Sequence, residues 1–176
     1  MTSAAENKAL EPLPTTPEQL FALLDQLSIT YKRHDHAPVF TVAESSAINA
    51  DIAGTHCRNL YVRDKKKKNF LIVAANETDV DLKAVQDRAG AGRFSFGSAD
   101  RLWQFLGIRP GSVCPFTVIN DPEHHVQVIL DEYMMAQDTV NYHPLDNAMT
   151  ISITPDDLLK FLKHTGHAPL ILKLDS

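Results

Sequence analysis

The sequence predicts an α/β domain built on a mixed, largely antiparallel sheet with helices packed outside it. Three observations point there. β-rich runs alternate irregularly with segments of helical periodicity, several neighbouring runs are joined by tight turns, and no repeat, low-complexity stretch or linker divides the 176 residues. Short turns suit antiparallel neighbours, whereas a doubly wound parallel sheet needs a long crossover after each strand.

Met1 to Pro14 has neither a basic n-region nor a hydrophobic h-region, so 1–14 reads as a flexible polar arm and 15–176 as one domain. Thr16-Pro17-Glu18-Gln19 opens the first helix: Thr16 is the N-cap, Pro17 fits the first turn and Gln19 completes a capping box. Leu20, Leu23, Leu24 and Leu27 then share one helical face. Tyr31 to His36 reads as a short strand, and Thr41 to Ile48 as a short helix entered from Pro38-Val39-Phe40. Asn59 to Arg63 and Asn69 to Ala74 form a hairpin across Asp64 to Lys68. Helices follow over Asp81 to Ala89 and Ser98 to Leu106; Ser98 caps the second, and Gly90 and Gly107 end them. Val113 to Asn120 and Val126 to Asp131 predict a second hairpin around Asp121-Pro122-Glu123-His124. Thr139 to Tyr142 and Met149 to Ile153 are strands divided by a His143-Pro144 turn. Thr154-Pro155-Asp156-Asp157 starts a last helix to about Lys163, and Leu170 to Leu174 reads as a closing strand.

An apolar share of 44% and a charged share of 22% are ordinary for a globular protein. No apolar run approaches the roughly 18 residues that span a bilayer, so no membrane partner is expected. Cys57 and Cys114 make neither a disulfide framework nor a zinc quartet, which points to the cytoplasm. A net charge of −5 argues against a general nucleic-acid coat, and no DNA partner is expected. Charge is uneven, however: Arg58, Arg63 and Lys65, Lys66, Lys67 and Lys68 put six cations into eleven residues. Such a patch on an acidic chain suits one specific anionic partner, although lysines beside a sheet edge also guard against aggregation.

Arg58 stands at the start of a strand, not at the lysine tip. Alternation puts Arg58, Leu60 and Val62 on one face and Asn59, Tyr61 and Arg63 on the other. If the apolar face is buried, its cation needs an anion, a carbonyl or a ligand oxygen. Gly111-Ser112-Val113-Cys114-Pro115 reads either as an ordinary connection or as a loop whose Gly111 brings backbone N–H donors close to a ligand, as an oxyanion site requires. His143-Pro144 is a structural turn or part of a pocket, and Gly166 in Thr165-Gly166-His167 is an ordinary helix end. His34 and His36 share a strand face, yet no further ligands at metal-binding spacing accompany them, so neither metal nor cofactor is expected. GxSxG, P-loop and GxGxxG patterns are absent.

Taken together, five blocks in order resemble the YbaK/ProX family, the free-standing relatives of the editing domain of bacterial prolyl-tRNA synthetases. They are HAPVFTVAE from His36, CRNLYVRDKKKKNFLIVA from Cys57, GIRPGSVCPF from Gly107, YHPLDNAMT from Tyr142 and FLKHTGH from Phe161. The resemblance implies a mixed-sheet α/β domain that hydrolyses the ester of a mischarged tRNA in trans, and is nearest the subgroup that removes alanine from tRNA for proline. It implies the acceptor end of tRNA(Pro) as partner and admits prolyl-tRNA synthetase as a second one. Its motifs carry over to Arg58, Gly111 and His143 as catalytic positions, to Asn59, Pro115 and Pro144 as substrate-binding ones, and to Lys65 through Lys68 as contacts to tRNA phosphates. Arg58 stands where the family has lysine; it keeps the charge but is planar and bulkier. That departure leaves a competing expectation, a catalytically weak or silent module that binds tRNA or a synthetase.

Overall fold

Helix starts follow the capping chemistry of the sequence in the computed structural model, which describes residues 11–176. The elements in order are α1 (Pro17–Gln26), β1 (Lys32–Asp35), α2 (Val42–Asp51), β2 (Thr55–Asp64), β3 (Asn69–Ala75), α3 (Leu82–Arg88), β4 (Phe94–Phe96) and α4 (Ala99–Leu106). A 3-10 helix (Pro115–Asn120) follows, then β5 (Val126–Asp131), α5 (Glu132–Met135), β6 (Val140–Tyr142), β7 (Met149–Ile153), α6 (Pro155–Thr165) and β8 (Leu170–Leu172). Thr16 and Gln19 form the reciprocal capping box of α1. Side chains of Asp81, Ser98 and Thr154 cap α3, α4 and α6, and Gly107 and Gly166 end α4 and α6 in the left-handed region.

The strands form one open sheet in the order β1-β7-β6-β2-β3-β5-β8, with β4 also paired to β2. Pairs β1–β7, β6–β7, β2–β3 and β2–β4 are antiparallel; β2–β6, β3–β5 and β5–β8 are parallel. The predicted fold class is therefore the observed one. Both faces of the centre are covered. Leu71 and Val73 of β3 enter the larger core with Leu20, Leu24, Phe116 and Phe161, while Phe70 and Ile72 enter a second core with Val62, Val85 and Ile129. This double burial explains why β3 is an almost unbroken apolar run.

One expectation is corrected. Val113 to Asn120 is not a strand: Pro115 presets a helical φ and removes a donor, and the Thr117 amide and hydroxyl both donate to the Cys114 carbonyl, at 3.1 and 2.7 Å. Phe116 then packs edge-on against Tyr142 and Phe161, with centroids 5.9 and 5.1 Å away. There is accordingly no second hairpin, and β5 lies between β3 and β8, parallel to both. The expected arm, 1–14, falls outside the described residues up to residue 10. Its remainder is laid on the fold: Leu13 packs against the core, and the Glu11 carbonyl accepts from the Arg109 guanidinium. Among the described residues no helix is long and apolar enough to cross a membrane.

Candidate active site

The middle of β2 is where sheet pairing lapses. β6 pairs with β2 only at Thr55 and His56, and β4 only from Val62 to Asp64. On the other side, the His56 carbonyl accepts from Asn76 N–H at 2.8 Å, so alternation turns the Arg58 and Leu60 peptides toward β3. The Asn59 peptide faces the uncovered edge, next to the Tyr61 carbonyl that accepts from Gly97 N–H at 3.0 Å.

Below that edge lies a cavity of about 30 Å³ lined by Ser45, Asn49, His56, Cys57, Asn59, Asn141, Tyr142, His143 and Thr150. At roughly 10–15 Å³ per water, it has room for about two water-sized groups. Asn59 Oδ1 is buried and accepts no hydrogen bond. Among the described residues it is the buried side-chain acceptor with no protein partner, so a donor in the cavity, water or ligand, must satisfy it. The open clefts beside His34 (about 620 Å³) and beside Lys67 and His124 (about 820 Å³) are far larger but hold no such atom.

His143 Nδ1 donates to the Met149 carbonyl at 2.8 Å, which leaves Nε2 as the unprotonated acceptor. Burial holds His143 below the usual imidazole range; the Met149 carbonyl pulls the other way, and nearby His36 reinforces the depression. The ring stands edge-on to His36, with centroids 6.1 Å apart. His36 in turn donates from Nδ1 to the Ala37 carbonyl and accepts from Thr150 Oγ1 at 2.9 Å. His56 donates from Nε2 to the Ile52 carbonyl at 2.8 Å, at the end of α2. Asn141 Nδ2 donates to the Ala53 carbonyl and its Oδ1 accepts from Ser152. These bonds fix the His36, His56 and Asn141 walls, and Asn59 Oδ1 and His143 Nε2 are acceptors in the cavity that none of them uses. Burial pushes the Cys57 thiol up to about 12, as it does that of Cys114, so neither is a thiolate nucleophile at neutral pH. No group of three or more His, Cys, Asp or Glu among the described residues is placed to hold a metal ion.

Of the positions picked out from sequence, the structure brings Asn59 and His143 to this cavity. Arg58 points to the opposite face of β2. Its Nη1 donates to the Ala75 and Asn76 carbonyls at 3.1 and 3.2 Å, and its Nη2 to the Thr78 carbonyl at 2.7 Å. The carbonyl alternative for this cation is the one realised. Gly111 sits in an exposed turn at φ +93°, with open space where a Cβ would be, and does not line the cavity. Its loop reaches the site through Cys114, whose thiol meets the Leu145 backbone amide just after His143-Pro144. Pro115 and Pro144 are buried beside the cavity residues without lining it. Lys65 to Lys68 are exposed at the β2–β3 turn, about 20 Å from Asn59 at 3.3 Å per residue. Asp64 pins that turn by accepting from the Lys66, Lys68 and Gly92 amides, each within 3.0 Å. Burial pushes the Asp64 carboxyl up, but those amides outweigh it and hold it below its usual range. Ser45 and Asn49 of α2 and Asn141 of β6 carry no local pattern that marks them; two elements far apart in the chain bring them together.

The profile of the aminoacyl-tRNA editing domain matches residues 36–161. The prolyl-tRNA editing protein ProX of Acetoanaerobium sticklandii is 36% identical over 151 residues, covering 85% of this chain and 92% of that protein. The prolyl-tRNA synthetase associated domain-containing protein 1 of Danio rerio is 32% identical over 175 residues, 98% of this chain and 95% of its own. A solved structure described as a candidate trans-editing enzyme for prolyl tRNA synthetase superposes with a TM-score of 0.67 over 100% of this chain and 99% of that one. At 17% identity it speaks to the fold alone. With the family profile spanning every wall of the cavity, the chain belongs to the aminoacyl-tRNA editing domain family.

Proposed function

We propose that the protein deacylates mischarged tRNA(Pro) in trans, with alanine as the amino acid removed, and works in the cytoplasm on the acceptor end of the tRNA. It is an ester hydrolase of the aminoacyl-tRNA deacylase class. The observation that carries the substrate assignment is the unsatisfied Asn59 Oδ1 in a cavity of about 30 Å³. An acceptor in that position takes a donor, and the α-ammonium of an aminoacyl ester is one. A methyl side chain suits so small a space, whereas a proline ring overfills it. A synthetase pocket built for proline discriminates poorly against smaller residues, at about 1–3 kcal/mol per missing methylene, so a second and tighter site that hydrolyses them answers a physical need.

In this reading His143 orients the attacking water. Its neutral Nε2 accepts a proton from water as the oxygen adds to the ester carbonyl, and Nδ1 is held by Met149 so that the ring cannot turn away. The ribose oxygen leaves with a proton, giving free alanine and tRNA. The Asn59 peptide on the uncovered strand edge is the backbone donor for the developing oxyanion, and Gly111, outside the cavity, shapes the turn that leads into Cys114 and Pro115. Pro115 and Pro144 hold the two loops rigid on either side. Arg58 is a positioning residue that orders the loop after β3, and Lys65 to Lys68 meet tRNA phosphates.

One observation favours a second reading, a silent tRNA- or synthetase-binding module: the Arg58 cation is committed to three carbonyls and lies away from the cavity. The deciding experiment incubates the protein with alanyl-, cysteinyl- and seryl-tRNA(Pro). Release of alanine well above buffer hydrolysis is expected. Binding without release of any amino acid would leave the module.

A further inference from the structure

Two of the most exposed large apolar side chains in the protein flank the start of α2: Phe40 is 80% exposed and Val42 is 84% exposed. The sequence does not leave them there for want of a partner. Phe40 N–H donates to Glu44 Oε2, Thr41 caps α2 through the Glu44 amide, and Val39 exchanges hydrogen bonds with Asn147 in both directions. The backbone is thus tied down on both sides of an aromatic ring held in water. α2 itself buries no side chain completely. Its Val42, Ser45 and Asn49 follow helical spacing on one stripe, and Ser45 and Asn49 line the cavity. Phe40 directly precedes the Thr41 N-cap of α2, five residues before Ser45 of the cavity wall, and its neighbour Val39 is bonded to Asn147 on the loop that follows His143.

Resting on the function proposed above, we infer that Phe40, with Val42 beside it, is the platform on which the terminal nucleobase of the aminoacyl-tRNA stacks. The chemistry of the substrate supplies the occupant. An acyl group seated against Asn59 fixes its ester, and hence the ribose of the last nucleotide, at the cavity mouth. The base on that ribose must then land close to the cavity mouth, and the exposed apolar side chains on the segment that carries Ser45 and Asn49 into the cavity are Phe40 and Val42. Base–aromatic stacking is tolerant of base identity and is lost on truncation to alanine, typically by about tenfold or more in affinity.

The test uses tRNA(Pro) whose terminal adenine is replaced by 2-aminopurine and whose alanine is joined through a non-hydrolysable amide. Wild-type protein quenches the 2-aminopurine fluorescence; Phe40→Trp retains the quenching. Phe40→Ala abolishes it and weakens binding about tenfold. The same RNA with an abasic terminal ribose should bind wild type and Phe40→Ala equally. Equal quenching by Phe40→Ala, or a tenfold weakening on the abasic RNA as well, would overturn the platform; the latter outcome would mark Phe40 as touching some other part of the RNA. The probe is not cleaved, so the result does not depend on turnover. Quenching without deacylation sinks the catalytic reading and keeps the platform, whereas deacylation without Phe40-dependent quenching does the reverse. Because Phe40 is exposed, neither variant threatens folding.

Discussion

Arg58 and Asn59 are neighbours in β2, yet their environments are opposites. Arg58 enters one face and satisfies its guanidinium on the carbonyls of Ala75, Asn76 and Thr78. The loop it holds is held again by Asp131, whose carboxylate accepts from Ala75 N–H at 3.0 Å and from Thr78 Oγ1 at 2.5 Å. Asn59 enters the other face and brings its Oδ1, which no protein group bonds, to a small cavity. A charge fully used by its own chain stabilises the fold and has nothing left for a ligand. A buried polar atom that no protein group bonds is one that a ligand can bond. The family resemblance singles out the cation; the physical chemistry singles out the amide beside it.

The sharpest way to break this contrast is to remove the cavity groups. His143→Ala should lower kcat for alanyl-tRNA(Pro) by about 10²–10⁴-fold, the range of a lost general base, with little change in KM. Asn59→Leu should cost activity on a similar scale while leaving the melting temperature equal or higher, because the Asn59 Oδ1 it removes has no bond to the protein to lose. A stabilised and fully active Asn59→Leu protein would end the assignment.

Next comes the basic turn. Replacing Lys65 to Lys68 with glutamine should make the dependence of log affinity on log salt shallower, by up to about 0.9 for each phosphate no longer neutralised, read by tRNA retention at several salt concentrations. An unchanged slope would remove these lysines from the interface. Arg58→Ala tests the other side of β2: thermal or denaturant unfolding should show a destabilisation of about 1–3 kcal/mol, and single-turnover deacylation at low temperature should fall only modestly. Full stability with abolished turnover would return Arg58 to the chemistry. The smallest effect is in pH. His143 is lowered from 6.5, so its neutral, proton-accepting form persists on acidification, and the acid limb of kcat should have its midpoint below pH 6.5. A midpoint above that value would exclude His143 as the titrating base.

Much of this site is legible in the sequence. Strand alternation separates Arg58 from Asn59, the His-Pro pair marks a turn between β6 and β7, and the Gly-to-Pro block marks a loop beside it. Gly111 illustrates where such reading stops: its residue type allows close approach, but only packing shows that the turn is exposed and that Cys114 is what meets the His143 segment. Val113 to Asn120 illustrates another limit, since a short apolar run is compatible with a strand or a helical turn until its neighbours choose. Ser45, Asn49 and Asn141 carry no signal at all, because each is an ordinary surface-type residue until a distant element faces it.

What the sequence determined alone is whatever depends on neighbours along the chain: the helix starts at Thr16, Asp81, Ser98 and Thr154, the β2–β3 hairpin, and the opposite facing of Arg58 and Asn59. The tertiary structure decided which of those two faces holds the cavity. Both sides of the β2–β3 sheet are covered, so hydrophobic periodicity cannot rank one above the other. The choice is made by long-range pairing, where β6 leaves β2 after His56 and opens the edge at Asn59.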